Sequence, residues 1–205
     1  MVDSTIATKV NSDALVSPKR GAIFVAPVDS KLPTDMTKFT LGVDTVDPWH
    51  NLGHTSADNL PTFDKSGGDT SSTSTWLQAN VRTSTEDVTY TMTAKSVQAD
   101  SATLKLIFGG WDGSVTGAVA VAPGTSTRLA LLVFSYDTTT NEAFGVYVPR
   151  ATVTADGIVD LSGDFAEFGM TATFEASPSV KPKSDGTQGT FEFLPAESFK
   201  VKAGA

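Results

Sequence analysis

The residues that could do chemistry are concentrated at positions 49–76, which read WHNLGHTSADNLPTFDKSGGDTSSTSTW. His50 and His54 have the spacing of two zinc ligands on one face of a helix, and Asp58 could provide a third ligand. Gly53 lies between the two histidines and disfavours a helix, however, and no glutamate follows His50. We therefore expect two loop histidines among polar neighbours rather than a metal site.

Calcium, phosphate and catalytic motifs are also incomplete. The segment DKSGGD (64–69) lacks the alternating acidic register and the bidentate glutamate of a calcium loop, and GGWDG (109–113) lacks the Lys-Ser/Thr of a phosphate loop. No Gly-x-Ser-x-Gly occurs, and neither histidine lies in a segment rigid enough for a catalytic triad. The carboxylates in the alternating segments lie on polar strand faces among threonines. This arrangement does not indicate the pair of catalytic carboxylates of a glycosidase. We expect no enzyme activity and no cofactor.

The composition favours a β-rich protein that does not hold nucleic acid. The chain has 205 residues, a formal net charge of −8 and no cysteine, so disulfides and thiolate metal sites are excluded. Tight binding to nucleic acid needs an excess of Lys and Arg. The longest strongly apolar run, LALLVF (129–134), is too short to cross a bilayer, and the N-terminus lacks the apolar core of a signal peptide. We therefore expect a soluble protein that folds in a cytoplasm.

Two kinds of apolar periodicity predict the elements that would position these residues. TWLQANVR (75–82) and DVTYTMTAK (87–95) alternate apolar and polar residues, which predicts two strands joined by TSTED (83–87). ADSATLKLIFGG (99–110) has apolar residues spaced i, i+3, i+4, which predicts one helix that begins at Asp100 or Ser101 and ends at Gly109-Gly110.

Further strands and the domain organisation follow from the same patterns. RLALLVFSYD and EAFGVYVPR flank TTTN (138–141), which predicts an antiparallel hairpin. The other predicted strands are GAIFVAP (21–27), FGMTATFEA (168–176) and GTFEFLP (189–195). We predict one mainly β domain over 1–205, an antiparallel β-sandwich or partly closed barrel with one flanking helix, an N-terminal arm at 1–20 and a long loop at 44–75. Unstructured loops of that length are generally functional or disordered.

The pattern of residues 49–82 resembles a known family. It reads W-x-N-L-G-H-T-S-x-D-N-L-P-x-F, then G-G-D, then a Ser/Thr-rich stretch and T-W-x-x-x-x-V-R. It is similar to the major tail proteins of long-tailed phages that infect actinobacteria. GAIFVAPV and EDVTYTMTAKSVQADSATLKLIFGG also match the family's opening strand and its strand-helix-glycine unit. The resemblance covers residues 20–110, and the C-terminal half only by its strand pattern.

The resemblance implies a tail tube protein of the virion, assembled in the host cytoplasm. In this family six copies form a ring, and stacked rings enclose a channel through which DNA passes without specific binding. The expected partners are further copies of the chain, a tape measure protein and a tail terminator, with no membrane. The loop 44–75 would reach a neighbouring ring through its scattered apolar residues. The candidate contact residues are Trp49, Leu52, Leu60, Phe63 and Trp76.

The polar faces of the alternating strands are candidates for the channel wall. These side chains are Thr89, Thr91, Thr93, Thr171, Thr173 and Glu175. An outer, solvated face is an equally good interpretation of the same pattern. The alternative function is a β-sandwich binding module, either a capsid decoration or a receptor- or carbohydrate-binding domain. Trp49, Trp111 and Asp112 would suit a sugar site, and assembly into rings would distinguish the two functions.

Overall fold

The computed structural model describes residues 10–11 and 15–200, so the predicted arm at 1–20 lies largely outside the described residues. The described chain is mainly β, with one α-helix, α1 (Ser101–Phe108), and two short 3-10 helices at Met36–Lys38 and Ala196–Phe199. The strands are β1 (Arg20–Ala26), β2 (Thr45–Val46), β3 (Trp49–Asn51), β4 (Thr62–Ser66), β5 (Thr70–Thr73), β6 (Arg82–Thr85), β7 (Thr89–Ser96), β8 (Trp111–Asp112), β9 (Val119–Ala120), β10 (Thr127–Asp137), β11 (Glu142–Asp160), β12 (Glu167–Phe174) and β13 (Glu192–Leu194).

One antiparallel sheet organises the molecule. Its strand order is β2-β3-β1-β10-β11-β12-β7-β4, and β13 pairs with β11 beside β12. The 19 residues of β11 pair first with β10 and then with β12, so this strand joins the two halves of the sheet. The sheet curls until residues 54–56 meet the end of β7, where the backbone N–H of Ser56 donates to the carbonyl of Lys95 at 2.9 Å. The predicted mainly β, antiparallel sandwich is confirmed, and the described strands form no closed barrel.

Both faces of this sheet are buried around β1. In β1, Ile23 and Val25 enter a first apolar cluster with Met92 of β7 and Ile107 of α1. Phe24 between them enters a second cluster on the other face. That second cluster is covered by residues 32–46 and by the chain after β13. Because both faces are covered, β1 reads as a continuous apolar run rather than as an alternating one.

Helix α1 confirms the predicted helix, and its two ends follow from the sequence. Asp100 accepts hydrogen bonds from the backbone N–H groups of Ala102 (2.9 Å) and Thr103 (3.0 Å), which otherwise have no partner in the first turn. Gly109 ends the helix in the left-handed conformation, with φ 60°. The fully buried Ile107 fixes the helix against the first cluster.

Two predictions about the segment before β7 are wrong. Residues 75–82 do not form a strand: most of them form the turn of a hairpin between β5 and β6, and β6 occupies the predicted joint at 83–87. The segment 44–75 is not an unstructured loop, because it contains β2 to β5. The predicted strands at 21–27, 87–95, 168–176 and 189–195 are confirmed, as is the hairpin of 128–137 with 142–150. Across the described residues, no helix has the length and apolar character needed to cross a bilayer.

Candidate functional site: a hairpin arm and a threonine face

Strands β4 and β7 continue beyond the sheet as a long hairpin. The ladder runs to Ser66 opposite Thr89, is interrupted at Gly67 and Gly68, and resumes in β5 and β6. Both glycines have positive φ, and a Cβ on Gly67 would lie 2.1 Å from the carbonyl oxygen of Asp87. The distal part, residues 69–86, is called here the hairpin arm. All side chains of β5 and β6 are exposed, so the arm extends away from the core.

The end of the hairpin arm presents apolar side chains to solvent. Trp76 and Leu77 are fully exposed, and Val81 is half exposed. The turn itself is held by polar contacts: the backbone N–H of Asn80 donates to Ser74 Oγ at 3.0 Å, and Ser72 Oγ donates to Asn80 Oδ1 at 2.8 Å. Uncovered aromatic and aliphatic groups on an ordered turn are typical of a surface that contacts another molecule.

Two of the five predicted contact residues are core residues instead. Trp49 is 0% exposed and Leu52 is 3% exposed. The Trp49 ring packs edge-on against Phe39 and Tyr147, and its Nε1 donates to the carbonyl of Lys31 at 3.2 Å. Neither side chain is available to a partner subunit, and Trp49 cannot stack on a sugar. The sequence prediction was wrong for these two because an apolar residue in an apparent loop was assumed to be uncovered.

The other predicted contact residues lie at the surface. Leu60 is 51% exposed and Phe63 is 40% exposed, and both line an apolar hollow of about 430 Å³ together with Val133 and Phe144. Phe63 also contacts Phe174 edge-on, with 6.3 Å between ring centroids. With Trp76, these residues place exposed apolar surface just before β4, on β4 itself and at the end of the hairpin arm.

The six predicted wall residues lie on one continuous face. In register across β4, β7, β12 and β11, one row holds hydroxyls from Thr62, Thr93, Thr171 and Thr154. The Thr62 and Thr93 hydroxyls are 2.7 Å apart. The neighbouring row holds Asp64, Thr91, Thr173 and Thr152, and Thr152 Oγ1 donates to Glu175 at 2.7 Å. This surface, called the threonine face, consists of Thr62, Asp64, Thr89, Thr91, Thr93, Thr152, Thr154, Thr171, Thr173 and Glu175.

The cations beside the threonine face, Arg128 and Lys95, are paired with carboxylates. Arg128 forms an ion pair with Glu175, and the hydrogen bond from Thr152, followed by that from Arg128, lowers the pKa of the Glu175 carboxyl. Lys95, at the end of the same face, is 2.8 Å from Glu167. The hydrogen bond to Glu167 raises the pKa of Lys95, so this cation stays charged and engaged. The face therefore offers hydroxyl groups and little uncompensated positive charge.

Glu167 is a structural residue that the sequence prediction missed. Its carboxylate accepts hydrogen bonds from Ser56 Oγ (2.5 Å), Asn59 Nδ2 (2.9 Å) and Lys95 Nζ (2.8 Å). These bonds tie the corner at residues 56–59, which leads into β4, to the start of β12. The only sequence signal was a single carboxylate at the beginning of an alternating segment.

Other candidate sites have simpler environments. His50 Nδ1 lies 3.3 Å from Thr45 Oγ1, and within residues 10–11 and 15–200 no three His, Asp or Glu side chains are grouped to hold a metal. Trp111 is half exposed, and Asp112 is held by Lys105 Nζ at 2.6 Å. The two extended surfaces, the hairpin arm and the threonine face, are therefore the stronger functional candidates.

Comparison with known proteins agrees with the resemblance noted in the sequence. A family model described as phage tail tube protein matches residues 8–184. The chain is 28% identical over 163 residues to "Major tail protein Gp23" of Mycobacterium phage D29, an alignment that covers 75% of this chain and 80% of the relative. It is 26% identical over 161 residues to "Major tail protein Gp23" of Mycobacterium phage L5, with the same coverage.

Proposed function

Because the chain belongs to the phage tail tube protein family, we propose that it polymerises as stacked hexameric rings into a tube that conducts DNA into the host during ejection. Membership in this family makes it a structural component of the virion tail. The family does not assign an enzymatic activity. The proposal has three parts: each ring contains six subunits, the rings stack, and DNA passes through the tube.

We propose that the threonine face lines the channel. The main support for the proposed function is that this face presents hydroxyl groups and paired cations. Weak interaction with DNA requires a wall that offers phosphates few free cations. Lys95 and Arg128 on or beside the face are engaged by Glu167 and Glu175, and the remaining groups are mainly hydroxyls. The formal charge of −8 per subunit adds a repulsive background to every phosphate.

The hairpin arm and the apolar hollow are proposed to contact neighbouring subunits. Trp76 at the end of the arm and Leu60 and Phe63 at the hollow are apolar and exposed in the single subunit. Contact with another copy would remove this surface from water, which is the main favourable term in protein association. The tape measure protein and a tail terminator are proposed as further partners, and the host cytoplasm as the place of assembly.

Cysteine labelling tests the channel assignment cleanly because the chain has no cysteine. We expect Thr91→Cys and Thr173→Cys in assembled tubes to react with N-ethylmaleimide but not with a polyethylene-glycol maleimide. The matched control is the same variant as a free subunit, which should react with both reagents. Rapid reaction of intact tubes with the bulky reagent would place the threonine face outside. Loss of reaction with both reagents would place it in a subunit contact.

Negative-stain microscopy of the purified protein tests the assembly itself. End-on views of a tube should have sixfold symmetry, and side views should show a regular axial repeat. A monomer or a trimer at all concentrations would contradict the tube and would favour the alternative, a β-sandwich module that decorates a capsid or binds a receptor. Another rotational symmetry would contradict the hexamer alone.

A further inference from the structure

A second apolar surface lies beside α1. It is a groove of about 740 Å³ between α1, the chain after β9 and the distal part of the β11–β12 hairpin. Its apolar lining includes Leu104, Phe108, Val121, Pro123, Ile158 and Phe168. Ile158 is 81% exposed, so the subunit leaves this groove uncovered.

The groove and the hairpin arm are at opposite ends of the same strand. Strand β7 joins the arm at Thr89 and ends at Ser96, and Ser96 pairs in register with the groove residue Phe168. The path from Arg82 at the end of the arm to Ser96 spans fourteen residues, which is roughly 45 Å of extended chain. The arm is therefore too far away to cover the groove of its own subunit, but a second copy displaced along β7 could do so.

Charge near the two surfaces is complementary. Arg82 is the charged side chain nearest the end of the arm, whereas the arm's two acidic residues, Asp69 and Glu86, lie together at its base. Residues 154–165, which form the turn beside the groove, carry Asp156, Asp160 and Asp164 and no base. Arg82, Asp156 and Asp164 form no ion pair with any described residue, whereas Asp160 is 3.5 Å from Lys95. Two subunits of charge −8 repel each other, so a local contact between opposite charges would favour this relative orientation.

We propose that the end of the hairpin arm of one subunit, with Trp76 and Leu77, docks into the α1 groove of a second copy. The proposal rests on the tube assembly described above and specifies the surface that receives the arm. Because the arm and the groove are different surfaces, the contact is heterologous and can be repeated from subunit to subunit.

The size of this contact limits its role. A tryptophan buries about 150–250 Å² of surface, far less than the roughly 1,600 Å² of a standard stable interface. One docked arm therefore does not hold two isolated subunits together. The contact stabilises an assembly in which many arms dock at once, so polymerisation should depend steeply on subunit concentration.

Disulfide trapping tests the docking directly. Leu77→Cys and Ile158→Cys are made as separate single variants, mixed under assembly conditions and oxidised. We expect a cross-linked heterodimer on non-reducing gels from the mixture, because a disulfide forms only when two Cα atoms approach within about 7 Å. Val115→Cys, exposed and absent from the groove lining, replaces Ile158→Cys in the matched control and should give no heterodimer.

The outcomes separate the docking from the tube. Tubes that form without the Leu77–Ile158 cross-link overturn the docking and leave the tube assembly intact. A cross-link in the absence of tubes supports the docking and contradicts the proposed function. Equal cross-linking through Val115→Cys would mean non-specific collision and would also overturn the docking. A charge exchange adds a second test: Arg82→Glu and Asp156→Arg should each raise the critical concentration for polymerisation about tenfold, and the double variant should restore it.

Discussion

Two tryptophans in the segment first assigned to partner contact should respond oppositely to truncation. Trp49 lies in the core of its own subunit, whereas Trp76 is fully exposed at the end of the hairpin arm. We predict that Trp49→Ala destabilises the subunit, while Trp76→Ala leaves the subunit stable and impairs polymerisation. The pair is well matched because each variant removes the same indole.

The magnitudes follow from the contacts of each ring. Trp49→Ala removes a fully buried indole, its edge-on contacts with Phe39 and Tyr147, and its hydrogen bond to Lys31. Truncation of a buried Trp costs about 3–5 kcal/mol, a large part of the about 5–15 kcal/mol that keeps a domain folded. Trp76→Ala removes no contact with a described core residue, so the free energy of unfolding should change by less than about 0.5 kcal/mol.

Urea unfolding of the unassembled subunit, followed by far-ultraviolet circular dichroism, measures both effects. This signal is preferable to tryptophan fluorescence because each variant changes the number of fluorophores. With a urea dependence of about 2–3 kcal/mol per molar, the midpoint of Trp49→Ala should fall by about 1–2 M. Sedimentation of polymerised protein should show a loss for Trp76→Ala. If Trp49→Ala unfolds at the wild-type midpoint but does not polymerise, the core assignment of Trp49 is wrong.

Three further predictions concern the framework that supports these surfaces. Asp100→Ala should cost about 1 kcal/mol of unfolding free energy at pH 6. Hydrogen bonds, first from the backbone N–H of Thr103 and then from the Gln98 side chain, lower the pKa of the Asp100 carboxyl to about 2, so its contribution is complete above the unfolded pKa and is lost as pH falls through about 2. A difference in urea midpoint that persists unchanged below pH 2 would contradict this role. Gly109→Ala should destabilise the subunit by more than about 1 kcal/mol, since φ is 60° and a Cβ would lie 2.8 Å from the backbone nitrogen of Ser126. Gly117→Ala is the control, because Gly117 has positive φ but no atom within 4 Å of the added Cβ, and it should cost less in the same urea unfolding measurement. Glu167→Ala should speed hydrogen exchange in residues 54–60 by releasing their anchor, and unchanged exchange there would show that the backbone pairing with β7 is sufficient.

The sequence correctly predicted those elements in which apolar side chains recur at regular spacing because they face the core. Strand β7 alternates because Met92 and Ala94 face the first cluster while Thr91 and Thr93 face solvent. The helix α1 was predictable because its cap, its apolar spacing and its terminal glycine agree. The threonine face followed from the same alternation, and the register confirms that its members share a surface.

The hairpin arm was not predictable because its alternation is not caused by burial. Leu77, Ala79 and Val81 alternate with polar residues, but the turn that contains them has no sheet to pack against within the subunit. The Ser/Thr run before it looked like a loop and instead pairs as β5 with β6. Trp49 was misassigned for the opposite reason: its neighbours are polar, but residues 32–46 fold over it and close the second cluster. Both errors concern contacts between residues that are distant in the sequence, and the local pattern of apolar and polar residues gives no information on such contacts.

The polar strands of the hairpin arm should limit aggregation of the free subunit. Exposed strands with apolar side chains pair edge to edge and aggregate, but β5 and β6 carry Ser, Thr and one Arg, and the apolar groups are confined to the turn. Exposed apolar side chains are therefore confined to the end of the arm, where the proposed contact would form. A contact made only by this small apolar end would be weak. Because many such weak contacts must form together, misplaced subunits could dissociate before the assembly grows. Replacing Ser71 and Ser84, which pair across β5 and β6, with Val should therefore produce irregular aggregates rather than longer tubes, because the edges would then associate without the end of the arm.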